Sequence, residues 1–175
     1  LPHETFFLHR IAAPTGQHLA VTDDQGRLRA LDWSDYEARM RRLLRLHYGA
    51  EGVGFTLTER PPPVALTQAI EAYYAGDLEA LDHLEVATGG TEFQRAVWAA
   101  LRTIKPGATL SYGELAARLG RPKAVRAVGL ANGANPVGVV VPCHRVIGSN
   151  RRLTGYGGGL ERKRWLLAHE GVQAN

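Results

Sequence analysis

The chain has 175 residues, 45% hydrophobic and 22% charged, enough for one compact domain or two small ones and too apolar for a disordered segment. No run of about eighteen apolar residues occurs, which excludes a helical membrane span, and the single cysteine excludes an intramolecular disulfide and any Cys-rich zinc cage. The net charge of +4 is unevenly shared: residues 1–90 carry 8 Lys/Arg against 13 Asp/Glu, a net −5, and residues 91–175 carry 13 against 4, a net +9. A basic second half is the footprint of a polyanionic partner or simply a solvated face.

In chain order, Thr5–Ala12, His18–Thr22 and Arg27–Trp33 read as strands, separated by Pro14-Thr15-Gly16 and by Asp23-Asp24-Gln25-Gly26. Ser34 is placed to cap a helix from Asp35 to His47 that Gly49 stops, with Leu43, Leu44 and His47 on one side. Val53–Thr58 is a further strand, and Pro61-Pro62-Pro63 forbids a helix before Val64, after which Leu66, Ile70, Tyr73 and Tyr74 mark an amphipathic helix. Asp77–Gly90 has no period and reads as a linker, so two domains are expected, 1–85 and 86–175.

The second half opens on a capping box, Thr91 with Gln94, followed by Phe93, Val97, Leu101 and Ile104. Ser111 and Glu114 form another, opening a short helix through Leu115, Ala116 and Leu119. Gly120-Arg121-Pro122 then turns the chain, with Pro122 at the start of a helix from Lys123 to Asn132. Two short helices joined this way form a helix-turn-helix pattern. Apart from Lys123 and Arg126 the second helix is small or apolar, suited to pressing its backbone into a narrow groove with little base readout, or to packing on another helix.

After Asn135-Pro136, the run Val137–Val141 reads as a buried strand that delivers Pro142-Cys143-His144-Arg145 at its end. A lone cysteine is more often a small buried hydrophobe than a nucleophile, so its neighbours decide. An imidazole and basic residues beside the thiol favour the thiolate that attacks. Residues adjacent on a strand point to opposite faces, so contact between Cys143 and His144 requires a turn after Cys143, or a bridging water. Val146–Leu153 reads as a hairpin with Ser149-Asn150-Arg151 at its tip and two arginines able to meet phosphate, and Gly155–Gly159 as a loop whose backbone approaches a planar ligand. The last helix, Leu160–His169, is expected to turn Trp165, Leu166 and Leu167 inward and Arg162, Lys163 and Arg164 outward. Glu170 at its end is disfavoured by the helix dipole, and a partner such as His144 would account for it.

From Thr91 to Gly171 the chain resembles the O6-alkylguanine-DNA alkyltransferases, also called methylated-DNA–protein-cysteine methyltransferases. The resemblance lies in Ser111-Tyr112-Gly113, Arg126-Ala127-Val128-Gly129, Asn135-Pro136-Val137, Pro142-Cys143-His144-Arg145-Val146, Gly155-Tyr156 and Leu166-Leu167 with Glu170. It implies an α/β chain in which an N-terminal ribonuclease H-like domain precedes a C-terminal winged helix-turn-helix domain that carries the site. It also implies direct-reversal repair: a methyl or larger alkyl group passes irreversibly from O6 of guanine, or O4 of thymine, to Cys143 after the base is flipped through the minor groove.

On this resemblance Cys143 is the nucleophile, His144 the base acting through a water, Glu170 the group that orients the imidazole, and Asn135 the residue that holds the site's turn. Tyr112 donates its hydroxyl to the guanine, the Val146 carbonyl accepts from the exocyclic amine, Tyr156 helps wall the pocket, and Gly157 keeps its backbone N–H for the guanine. Arg126 fills the gap left by the base, Ala127 and Gly129 let the helix approach DNA, and Lys123, Arg151 and Arg152 meet phosphates. Some relatives have Ser where Gly157 stands; with Gly138 near the entrance, the implied pocket admits groups larger than methyl. The implied partner is double-stranded DNA containing O6-alkylguanine, met by a monomer that can assemble cooperatively, with no cofactor, metal or membrane. The N-terminus lacks the charge pattern of a secretory signal and the first half lacks zinc cysteines, so a bacterial cytoplasmic location is expected. A damage-binding module without transfer and a Cys-His hydrolase are the competing readings.

Overall fold

The computed structural model describes residues 3–174, in two compact units that divide between Gly90 and Thr91. In the first, strands β1 (Glu4–Ile11), β2 (His18–Asp23) and β3 (Leu28–Trp33) form an antiparallel meander, and β4 (Phe55–Glu59) adds to β1 in parallel, giving the order β3-β2-β1-β4. Asp23 makes the β2–β3 turn: its Oδ1 accepts from the backbone N–H of Gln25 and Arg27 at 2.9 and 3.0 Å, and Gly26 supplies the left-handed residue at φ +77°. Phe6, Leu8, Leu19, Val21 and Ala30 on the sheet pack with Met40, Leu44 and Tyr48 of α1 (Glu37–Tyr48) and with Phe55. Helix α2 (Val64–Tyr74) starts directly after the prolines and buries Leu66, Ala69, Ile70 and Tyr73.

Two expectations in this unit are corrected. Ser34 caps nothing: it begins a 3₁₀ turn, Ser34–Tyr36, and α1 starts at Glu37 with Met40, Leu44 and Tyr48 buried, whereas Leu43 and His47 are only half-buried. The stretch 77–90 is not a free linker. Leu28 N–H donates to the Glu85 carbonyl and Ala87 N–H to that of Leu28, each at 2.9 Å, while Ala80 and Leu81 are buried. Residues 85–87 are therefore attached to β3, which carries the first unit past the expected break at 85.

The second unit comprises α3 (Glu92–Leu101), β5 (Leu110–Ser111), α4 (Tyr112–Arg118), α5 (Val125–Gly133), β6 (Val146–Ile147) and α6 (Leu160–His169). Both expected capping boxes form, Thr91 with Gln94 on α3 and Ser111 with Glu114 on α4. Helix α5 packs against α3 and α4, and the Trp98 indole N–H donates to the Ala131 carbonyl at 2.8 Å. The helix begins at Val125, not Lys123: residues 121–124 form a turn closed by Ala124 N–H on the Arg121 carbonyl, and Pro122 lies inside it. Short β5 and β6 pair in parallel, and the segment after β6 forms no second strand of the expected hairpin. That segment closes as a tight turn instead, with Gly148 N–H donating to the Arg152 carbonyl and Arg151 at φ +63°.

Candidate active site

The segment 137–141 is not a strand. It folds into consecutive turns in which Val141 N–H bonds the Val137 carbonyl at 3.0 Å and Val140 N–H that of Gly138 at 2.8 Å. Asn135 sets the shape: its Nδ2 donates to the Val141 carbonyl at 2.8 Å and its Oδ1 accepts from Val137 N–H at 2.9 Å. Val139 is held at φ +68°, costly for a β-branched residue and the kind of strain found at functional sites. All four valine side chains are buried, so an apolar run that looks like a strand is here a compact pedestal.

On that pedestal Cys143–Arg145 form a 3₁₀ turn, with Cys143 N–H on the Val141 carbonyl at 2.8 Å. This is the turn that a site shared by Cys143 and His144 requires. Cys143 is only 8% exposed and His144 is fully buried. His144 Nε2 lies 2.9 Å from Glu170 Oε2. A carboxylate accepts, so Nε2 carries the hydrogen and Nδ1 keeps the lone pair of a base. Nδ1 is buried with no protein partner. Burial lowers the His144 pKa, and the positive charges of Arg145 and Lys163 add to this, while Glu170 opposes it; the balance favours the neutral imidazole.

Glu170 is held from two sides, since the Arg145 guanidinium donates through Nε to Oε1 at 2.8 Å and through Nη2 to Oε2 at 2.9 Å. Burial alone would protonate this carboxyl, but His144 and Arg145 outweigh it and keep it well below the usual carboxylate range. Arg145 Nη1 also donates to the Ile104 carbonyl, which ties the cluster to the segment after α3. The unfavourable helix-end position of Glu170 is thereby compensated.

Sequence reasoning gave Arg145 no role and placed Lys163 outside. Lys163 is fully buried, with Nζ 2.7 Å from the Val146 carbonyl and 3.4 Å from that of Gly155, while Trp165 is 37% exposed. Burial pushes the ammonium down to about 8, and the negative charge of Cys143 works against that fall. The Val146 carbonyl expected to meet substrate thus already accepts one hydrogen bond, leaving its second lone pair. A helical-face signal was available: Lys163, Leu166, Leu167 and Glu170 follow the i, i+3, i+4, i+7 rule and are all buried. Asn132, also missed, is buried on α5 with Nδ2 3.5 Å from the Cys143 carbonyl.

Tyr112 begins α4. A Cβ at Gly129 would lie 3.7 Å from its ring, so the ring runs along α5, and its hydroxyl is 2.6 Å from Thr154 Oγ1. Tyr156 and Gly157 are half-buried in the loop before α6. Lys123 is exposed in the turn before α5, Arg126 and Ala127 are exposed at the start of that helix, Gly129 is half-buried, and Arg151 and Arg152 are exposed on the 148–152 turn. Among the described residues no group of three or more His, Cys, Asp or Glu side chains is placed to hold a metal, and no helix is long and apolar enough to cross a membrane.

The fold and site define a mixed α/β protein with one nearly buried cysteine next in sequence to a buried histidine–carboxylate pair. Residues 92–172 match the DNA-binding domain of 6-O-methylguanine DNA methyltransferase. The methylated-DNA–protein-cysteine methyltransferase of Salmonella typhimurium is 55% identical over 162 residues, 93% of this chain and 94% of that protein. That of Mycolicibacterium paratuberculosis is 57% identical over 114 residues, 65% of this chain and 68% of the relative. The structure of Mycobacterium tuberculosis OGT in complex with DNA superposes with a TM-score of 0.75 at 38% identity, covering 94% of this chain and 92% of that one. The chain belongs to the methylated-DNA–protein-cysteine methyltransferase family.

Proposed function

We propose that this protein reverses alkylation damage in double-stranded DNA by moving the alkyl group from O6 of guanine, and from O4 of thymine, to Cys143. The observation that carries this reading is the Cys143–His144–Glu170 arrangement, in which Glu170 fixes the imidazole so that Nδ1 is the acceptor. His144 takes the thiol proton through a bridging water. The thiolate attacks the alkyl carbon, the S–C bond forms as the C–O6 bond breaks, and the electron pair passes to the base. Tyr112 donates a hydrogen bond to the leaving guanine, which regains a proton from the imidazolium. The product thioether has no leaving group, and with no second cysteine to resolve it each molecule acts once.

In this reading the first unit is a ribonuclease H-like domain and the second a winged helix-turn-helix, with α5 in the minor groove. O6 lies in the major groove of a stacked duplex and Cys143 is nearly buried, so the nucleotide must rotate out to react. Arg126 fills the gap it leaves, and the small residues Ala127 and Gly129 let the helix come close. The protein acts as a monomer in the cytoplasm on DNA containing O6-alkylguanine.

The test is to titrate a duplex carrying one O6-methylguanine with protein and count restored guanines. Restoration should stop at one per protein and be lost in Cys143→Ser; continued turnover, or restoration by Cys143→Ser, contradicts the proposal. Gly138 and Gly157 leave the pocket free of side-chain bulk at two positions, so rates on methyl and benzyl adducts should be comparable. Reaction with methyl alone contradicts that range.

A further inference from the structure

We infer that Thr154 is a positioning residue for alkyl transfer: its hydroxyl donates to Tyr112 Oη, which leaves the phenol's own hydrogen to point at the extruded guanine. The inference rests on the alkyl-transfer reading above. Tyr112 Oη and Thr154 Oγ1 are 2.6 Å apart across 42 residues of sequence, a short hydroxyl–hydroxyl bond. The Tyr112 ring already has two supports. Its backbone opens α4, where the Ser111–Glu114 capping box fixes it, and its ring edge lies along α5 at Gly129. Neither support controls the hydroxyl hydrogen, which rotates about the C–O bond. Thr154 is the group that does.

Thr154 is itself well placed to be fixed. The turn before it is closed by Gly148 N–H on the Arg152 carbonyl and Arg151 N–H on the Gly148 carbonyl, both at 2.8 Å, and by Arg152 N–H on Asn150 Oδ1 at 3.1 Å. A Cβ at Gly148 would stand 3.4 Å from Thr154 Cγ2, so the methyl is seated against that glycine. A β-branched side chain with its methyl seated has its hydroxyl direction set as well. Both residues are only half-buried, so the pair remains within reach of a base entering the site. A hydroxyl that accepts one hydrogen bond becomes a better donor in the next, so the Thr154 bond also strengthens the bond from Tyr112 to the base.

The experiment measures single-turnover transfer from a duplex carrying O6-methylguanine by wild type, Thr154→Val, Thr154→Ser, Tyr112→Phe and the Tyr112→Phe/Thr154→Val double variant. One neutral hydrogen bond corresponds to a slowing of about fivefold in Thr154→Val. Thr154→Ser should stay within about twofold of wild type, and Thr154→Val should add nothing in the Tyr112→Phe background. Equal slowing by Thr154→Val in both backgrounds, or none in either, overturns the assignment. The free protein supplies a second readout, the ¹³Cζ resonance of Tyr112 in protein labelled at tyrosine. It should move in Thr154→Val and hold in Thr154→Ser; a resonance unmoved by Thr154→Val also overturns the assignment. If wild-type protein leaves Cys143 unalkylated, the alkyl-transfer reading fails instead, and the tyrosine resonance still decides whether Thr154 holds Tyr112.

Discussion

The Lys163 ammonium has left water for a place between the carbonyls of Val146 and Gly155, where its charge favours the thiolate of Cys143. Burying a lysine is costly unless its hydrogens are satisfied and a negative charge is near. Lys163→Met keeps the volume and removes the charge. It should slow transfer by at least about tenfold and move the reaction of Cys143 with iodoacetamide to higher pH; an unchanged pH profile would make Lys163 purely structural. The wild-type rate should fall on the acid side only below the ordinary histidine value of about 6.5, because burial lowers His144 and protonation removes the base. A fall centred above that value contradicts a neutral His144. The pairing of His144 with Glu170 was legible because a carboxylate at a helix C-terminus calls for a partner. Lys163 was not, since Arg162-Lys163-Arg164 reads as solvated charge unless it is placed on the face shared with Leu166 and Leu167.

At the scale of elements, the capping boxes at Thr91 and Ser111 and the proline stop before Val64 were readable because each is a local rule with one physical solution. Val137–Val141 misled. Burial on all sides looks the same in a central strand and in a compact turn, and the arbiter is the Asn135 side chain, which replaces ladder bonds with its own. Lys123 was likewise drawn into α5 by the proline rule, although the bond from Ala124 to Arg121 makes Pro122 part of the turn. Asn135→Ala removes both clamping bonds, so urea unfolding should show a loss of about 2 to 4 kcal/mol. A loss under about 0.5 kcal/mol would mean that the pedestal holds itself.

Across the whole molecule charge separates by sequence, net −5 in residues 1–90 and +9 in residues 91–175, and every proposed DNA contact falls in the basic part. Counterion release then dominates affinity. Lys123→Ala, Arg151→Ala and Arg152→Ala should each flatten the log–log salt dependence of duplex binding by about one, with transfer at saturating DNA unchanged. Unaltered slopes in all three would remove them from the phosphate contacts. The strands of the first unit were legible from their β-prone runs and the turn residues between them, but its residues 77–90 were not, because Leu28 recruits Glu85 and Ala87 through backbone bonds that leave no mark on side-chain pattern. The central claim is covalent, and its most direct test is the mass of the Cys143 peptide after incubation with a duplex carrying one O6-methylguanine. The account predicts a gain of one methyl group on that peptide, reaching one per protein and absent in Cys143→Ala. Tight binding with no change in mass would contradict it and make the protein a damage-recognition module with a structural cysteine.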